Sequence, residues 1–156
     1  MLLAQIWKLL HFFFAFSFVG SLVVAEWNGR AARVTQDWGQ RALLFHIVHL
    51  SSRVAGLGSL VLAGVFGNLA SLRLGYSMAS DTWMRWVNGL WLAAVVLMAL
   101  VVLPNAGRLA TTARLAAGGG SAEGFERALA RWRFGNLLQS LLYLALLALM
   151  VFRWRS

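Results

Sequence analysis

Four long apolar segments limit this chain to one class of fold. They run over residues 2–25, 42–72, 87–104 and 134–152. A helix needs about 20 apolar residues to cross a hydrocarbon core of about 30 Å. Only helices and closed barrels satisfy their backbone groups there, and these runs are continuous rather than alternating. The sequence therefore predicts an all-α, four-helix transmembrane bundle, a single domain over residues 1–156, with both termini on the same side of the membrane.

The composition agrees with a membrane protein, since 60% of the 156 residues are hydrophobic. All tryptophans lie near the ends of the apolar segments: Trp7, Trp27, Trp38, Trp83, Trp86, Trp91, Trp132 and Trp154. Tryptophan favours the membrane–water interface, where its ring is in the apolar zone and its N–H is among the headgroups. We interpret these residues as an aromatic belt rather than as the wall of a cofactor site.

The net charge of +9 comes mostly from residues between the apolar segments, which indicates contact with the lipid bilayer. No basic stripe interleaved with aromatic residues is present, so we expect no nucleic-acid partner. The first and third loops carry more Lys and Arg than the other side of the bundle does. The positive-inside rule then places these loops in the cytoplasm and both termini outside, in a multi-pass protein of the bacterial inner membrane. The chain has no cysteine, which excludes disulfides, thiolate metal sites and covalently attached c-type haem.

Four ionisable residues fall inside the first two apolar segments: His11, His46, His49 and Arg53. Such residues are costly in hydrocarbon and usually have a function or a partner. His46, His49 and Arg53 are spaced i, i+3, i+7, so they share one face of a helix. Small residues continue this stripe, which predicts that it faces the interior of the bundle rather than lipid.

Two imidazoles from facing helices are the simplest ligand set for a b-type haem. We predict His11 and His49 as ligands of the haem iron, with His46 and Arg53 also at the cofactor site. Arg53 would pair with a propionate through bidentate hydrogen bonds.

The heights of these ligands leave several arrangements open. A turn near Val34 puts His11 level with Leu57, about 12 Å along the helix axis from His49. The alternatives are one haem with a tilted ligand pair, two separate sites, or a site where His11 takes its second ligand from Met98 or Met150.

Structural roles compete with these assignments. His46 lies close to the start of its segment, where an imidazole can reach interfacial water. His49 and Arg53 would then serve only packing, and Arg53 would bond carbonyl or amide groups of other helices. The candidate amides are those of Asn88, Asn136 and Gln139. His11 has a packing role as its alternative as well.

Three motifs resemble the HemJ-type protoporphyrinogen oxidases and the related CopD-like membrane proteins. The segment 7–11 (WKLLH), with the aromatic run and Gly20 after it, resembles the first helix of that family. Segments 86–88 (WVN) and 131–136 (RWRFGN) resemble the starts of later helices. The resemblance implies four spans and a role in haem binding for His11. The position that matches the family's helix lysine is Asn88, so the resemblance favours electron relay over the oxidase reaction.

The leading hypothesis from the sequence is an integral membrane redox protein that binds haem b and either relays electrons or oxidises a porphyrinogen. Its candidate partners are a quinone, other membrane subunits and further copies of this chain. One alternative is a non-catalytic accessory subunit of a larger respiratory or photosynthetic complex. Another is a component that transports copper or another small solute, which would need an oligomer because four helices form a narrow bundle.

Overall fold

The computed structural model describes residues 2–77 and 80–152 of the protein, and in these ranges it is built from helices without any strand. The helices are α1 (Leu2–Val34), α2 (Trp38–Arg73), α3 (Thr82–Ala117) and α4 (Phe125–Phe152). Each is long and apolar enough to cross a membrane. The predicted all-α bundle is confirmed, and every helix continues beyond its apolar segment on at least one side. Trp154, which the sequence analysis assigns to the aromatic belt, lies outside the described residues.

The helices end where the local chemistry predicts. Asp37 caps the N-terminus of α2, where its Oδ1 accepts a hydrogen bond of 2.8 Å from the backbone N–H of Gly39. Beyond the C-terminus of α3, Gly119 adopts a φ of 83°, which glycine tolerates without strain. The glycine-rich stretch at residues 118–120 therefore ends α3.

Two π-helical segments interrupt the regular geometry, Ser52–Gly58 in α2 and Met98–Val102 in α3. They face each other across the bundle: a Cβ atom on Gly56 would lie 3.3 Å from Cε of Met98. The second segment directly precedes Pro104, where the apolar run ends but α3 does not. A proline ring clashes with the carbonyl one turn earlier, and the wider π turn relieves that clash. This explains why α3 continues to Ala117.

Neighbouring helices run antiparallel, as contacts along their length show. The ring of Trp7 stacks on Phe66 with centroids 5.5 Å apart, which joins the start of α1 to the second half of α2. At the other end, Trp38 packs edge-on against Phe125 at 5.2 Å, so α2 and α4 begin at the same level. The Trp83 N–H donates to the carbonyl oxygen of Leu149 over 2.6 Å, which joins the start of α3 to the end of α4.

Trp132 does not belong to an aromatic belt. Its side chain is 1% exposed and packs in the core against Phe45, with ring centroids 6.0 Å apart. The space for the ring exists because residue 29 on α1 is a glycine, whose missing Cβ would overlap Trp132. The belt interpretation is wrong for this residue, since the hydropathy of the flanking segments does not reveal which side of α4 faces the core.

We expect Gly29→Ala to lower the free energy of unfolding by about 1–3 kcal/mol, because the added methyl group overpacks the core at Trp132. Gly20→Ala on the same helix is the matched control, since nothing lies within 4 Å of its Cβ position. This control should be neutral or stabilising by up to about 1 kcal/mol, from the higher helix propensity of alanine. Thermal unfolding in detergent, followed by circular dichroism, measures both variants. Equal unfolding midpoints would contradict the proposed contact.

Candidate functional site

A pocket of about 630 Å³ occupies the end of the bundle where α1 begins and α4 ends. It lies below the ring pair Phe18–Tyr143, whose centroids are 5.8 Å apart, and α2 and α3 form its back wall. The side chains that bring polar groups to its wall include Lys8, His11, Asn68, Ser71, Asn88 and Tyr143. Its volume falls in the range of small-molecule sites, about 300–1,000 Å³. We call this cavity the α1–α4 pocket.

His11 is fixed in the wall of the pocket by a hydrogen bond to α2. Its Nδ1 donates to the carbonyl oxygen of Ala63 over 2.7 Å. A carbonyl oxygen only accepts, so Nδ1 carries the proton, and Nε2 of the neutral ring keeps a lone pair. The ring rests on Gly67, where a Cβ would lie 2.8 Å from Nδ1. The Nδ1 edge therefore faces α2 and the Nε2 edge faces away from it.

Met150 lines the pocket from α4 at the same height as His11 on α1. Each residue is seven positions from the Phe18–Tyr143 pair, His11 along α1 and Met150 along α4. The two helices are antiparallel, because Nδ2 of Asn136 donates to Glu26 at 3.2 Å further along the same pair of helices. Both residues line the pocket about 10 Å below the ring pair, at 1.5 Å per residue.

A pair of asparagines closes the back of the pocket between α2 and α3. Nδ2 of Asn68 donates to Oδ1 of Asn88 over 2.8 Å, and Nδ2 of Asn88 donates to the carbonyl oxygen of Met84 over 2.9 Å. Asn88 thus ties two helices together at the position that the resemblance assigns to a lysine. An amide held in this way cannot act as a base, so the pocket gains fixed polarity here and no titratable group.

His49 lies elsewhere in the bundle. Its ring packs against Gly107 of α3, where a Cβ would be 3.1 Å from Cε1, and its buried Nδ1 has no hydrogen-bond partner among the described residues. His11 meets α2 at Ala63, about 21 Å along the helix axis from His49. One iron cannot take both as ligands. The offset exceeds our expectation because the turn lies at residues 35–37 rather than at Val34 and because α2 contains the π-helical segment Ser52–Gly58. His11 is therefore level with Ala63 rather than Leu57.

His46 and Arg53 do not face the bundle, contrary to the sequence expectation. Both are exposed, and the buried stripe of this part of α2 consists of Phe45, Val48 and Ser52. That stripe precedes the predicted one by a single residue, which is a rotation of about 100° around the helix. Arg53 also makes no hydrogen bond or ion pair with another described residue. The expected bonds from Arg53 to amides of other helices are therefore wrong.

Several buried polar side chains without hydrogen-bond partners were not predicted from the sequence to lie together in the core. Gln139 is 0% exposed, and neither atom of its amide has a hydrogen-bond partner among the described residues. The Oδ1 atoms of Asn105 and Asn136 and the Nε1 atom of Trp132 are buried and unpaired in the same sense. A signal existed, since Asn136, Gln139 and Tyr143 are spaced i, i+3, i+7 and so share the inner face of α4.

Comparisons with family models, with curated proteins and with solved structures give no match for this chain. The resemblance to the HemJ-type oxidases therefore stays a prediction. Within residues 2–77 and 80–152, no three side chains of His, Cys, Asp or Glu come together as a metal site. The α1–α4 pocket with His11 is the candidate functional site of the protein.

We expect Gln139→Leu to raise the free energy of unfolding by about 1–3 kcal/mol, because it replaces an unpaired buried amide with an apolar group of similar size. Asn68→Leu is the control, because it removes an amide that does have a hydrogen-bond partner. It should destabilise the protein, since it leaves Oδ1 of Asn88 without its donor. Thermal unfolding in one detergent compares the two. A loss of stability in Gln139→Leu as large as that in Asn68→Leu would show that the Gln139 amide has partners.

Proposed function

We propose that this protein is an integral membrane redox protein that holds one b-type haem in the α1–α4 pocket, with His11 as an axial ligand. The hydrogen bond from Nδ1 of His11 to Ala63 is the observation that carries this proposal. Ligating histidines typically donate their second ring N–H to a carbonyl or carboxylate, which fixes the tautomer and makes the other nitrogen a better ligand. His49 has no such bond and no place in the pocket.

Met150 is the favoured second ligand. It lines the pocket from α4 at the height of His11, whereas Met98, the other candidate, is 1% exposed in the core and does not line the pocket. His/Met ligation is used by electron-transfer haem proteins and raises the reduction potential.

The rest of the pocket suits a flat amphiphilic ring. Phe12, Phe16 and Trp91 supply aromatic walls, and the Trp91 N–H is already paired with the carbonyl oxygen of Leu60 at 2.9 Å. Lys8 lies one turn before His11 and lines the same pocket, so it can pair with a propionate at the rim. Arg53 cannot take that role, because it lies outside the pocket on the exposed face of α2.

Electron relay is the activity that these residues support. A haem at this position supplies one-electron transfer, and the protein contributes the ligands, the orientation of His11 and a largely apolar surround. A porphyrinogen oxidase would also need a group that accepts protons from the substrate, and the family lysine is replaced here by the paired Asn88. A membrane quinone is the electron partner that fits a pocket between apolar helices, and the bacterial inner membrane is the location that follows.

A second candidate function, an accessory subunit in a larger membrane complex, is favoured by one observation. Arg53 is exposed fifteen residues before Asn68, well inside the apolar part of α2. A lipid-facing arginine at a helix centre costs about 2.5–3.5 kcal/mol on insertion scales. A neighbouring subunit with an acceptor group would remove that cost. No feature of the described residues favours the transport hypothesis in the same way.

The haem proposal is tested by a reduced-minus-oxidised visible spectrum of the protein purified in detergent. We expect the Soret and α bands of a b-type haem. The His11→Ala variant should lose most of this haem, because the iron loses its proximal ligand, while His49→Ala should retain it. A colourless wild-type protein, or unchanged haem content in His11→Ala, would refute the proposal.

The role of Met150 is tested separately by redox titration. Met150→Leu should keep much of the haem and shift its midpoint potential downwards, because thioether ligation favours the reduced iron. Met98→Leu is the matched control and should leave the potential unchanged, since that side chain is buried away from the pocket. If Met98→Leu moved the potential and Met150→Leu did not, the second ligand would be assigned wrongly.

A further inference from the structure

A second cavity lies between α3 and α4 at the end of the bundle opposite the α1–α4 pocket, with a volume of about 240 Å³. Its lining consists of Asn105, Arg108 and Thr112 from α3, Arg127, Ala128 and Arg131 from α4, and Glu123 and Gly124 from the connection. The α3 residues are spaced i, i+3, i+7 and the two arginines of α4 are spaced i, i+4, so each helix presents one face to the cavity. We call it the α3–α4 cavity.

The α3–α4 cavity is lined by more positive than negative side chains. Arg108, Arg127 and Arg131 face a single carboxylate, that of Glu123, and no ion pair joins any of them to a described residue. Glu26 of α1, by contrast, does pair with an arginine, in the 2.7 Å bridge to Arg30. Guanidinium groups that converge without partners repel one another and attract an anion, and their planar fork matches phosphate oxygens.

Asn105 gives an independent sign of a ligand at the inner end of the cavity. Its side chain is 6% exposed, and its Nδ2 is used in a 2.7 Å hydrogen bond to the carbonyl oxygen of Val101. Its Oδ1 is buried without a partner. A buried acceptor of this kind is satisfied by a donor such as a hydroxyl group. The complementary ligand thus carries a negative charge and a hydroxyl.

The height of the cavity indicates where such a ligand comes from. Asn105 follows the last residue of the third apolar segment, which ends at 104, and Arg131 precedes the fourth, which starts at 134. The cavity therefore lies at the level of lipid headgroups if the apolar segments cross the bilayer. Basic pockets between helices at this level suit anionic headgroups.

We propose that the α3–α4 cavity binds the phosphate of an anionic phospholipid whose headgroup carries a hydroxyl, as in phosphatidylglycerol. The three arginines contact the phosphate, and Oδ1 of Asn105 accepts from the hydroxyl. Glu123 limits the affinity by its like charge and sets the side from which the headgroup enters. The site is separate from the pocket that holds His11, so it stands whether or not the protein binds haem.

The proposal is tested on delipidated full-length protein in detergent by titration with phosphatidylglycerol, followed by native mass spectrometry and by the thermal midpoint. Phosphatidylcholine, glycerol phosphate and inorganic phosphate are the comparison ligands. We expect phosphatidylglycerol to bind and to raise the midpoint, and the other ligands to bind at least roughly tenfold more weakly. Equal binding of glycerol phosphate would overturn the lipid assignment in favour of a soluble phosphate ester, and equal binding of phosphatidylcholine would overturn the role of charge.

Variants decide whether the cavity is the site. Arg127→Gln and Arg131→Gln should each weaken phosphatidylglycerol binding roughly tenfold, the value of a charge-assisted hydrogen bond. Arg133→Gln is the matched control, because Arg133 is exposed on the same helix and does not line the cavity. Glu123→Gln should tighten binding, a change that loss of folding cannot produce. Equal weakening by Arg133→Gln, or unchanged binding in both cavity variants, would refute the proposal.

Discussion

The bundle depends on rings of one helix that pack onto glycines of another. Lipid provides no hydrophobic drive for helix association, so close van der Waals packing and interhelical hydrogen bonds must supply it. Trp91 illustrates both terms: its ring fills the space beside Gly64, where a Cβ would overlap it, and its N–H bonds the carbonyl oxygen of Leu60 at 2.9 Å. His11 on Gly67 repeats this arrangement one turn further along α2. The histidine that we assign to haem is therefore also a packing contact between α1 and α2.

The two ends of the bundle differ in what lies between α1 and α4. Around Trp132, large buried rings fill the interior and α1 stays close to α4 through Glu26 and Asn136, which makes this the closed end. Beyond the Phe18–Tyr143 pair the α1–α4 pocket lies between the two helices, which makes this the open end. The open end carries the residues that suit a cofactor, while the closed end carries the charged residues that suit headgroups.

The polar groups of the protein differ in their surroundings according to their position along the bundle axis. Near the closed end, arginines lie beyond the apolar segments, where water and anionic lipids solvate them. In the middle, Ser21 bonds its own helix, while the amide of Gln139 has no hydrogen-bond partner among the described residues. At the open end, His11 and the Asn68–Asn88 pair are bonded but still line a cavity. This last group combines fixed geometry with access for a ligand.

The sequence by itself determined the four helices, because the length of each apolar run and the cost of an unpaired backbone in lipid leave no other fold. It also determined that His11 is buried enough to need a partner. The tertiary structure decided which partner, since the height of His11 against α2 depends on where the first hairpin turns. It likewise decided the orientation of α2, where a shift of one residue turns His46 and Arg53 outwards. The π-helical segment at Ser52–Gly58 changes the number of residues per turn, so an analysis that assumes a regular α-helical period does not detect this shift. Which residues meet across helices, such as His11 with Ala63 and Asn68 with Asn88, follows from packing that no local pattern records.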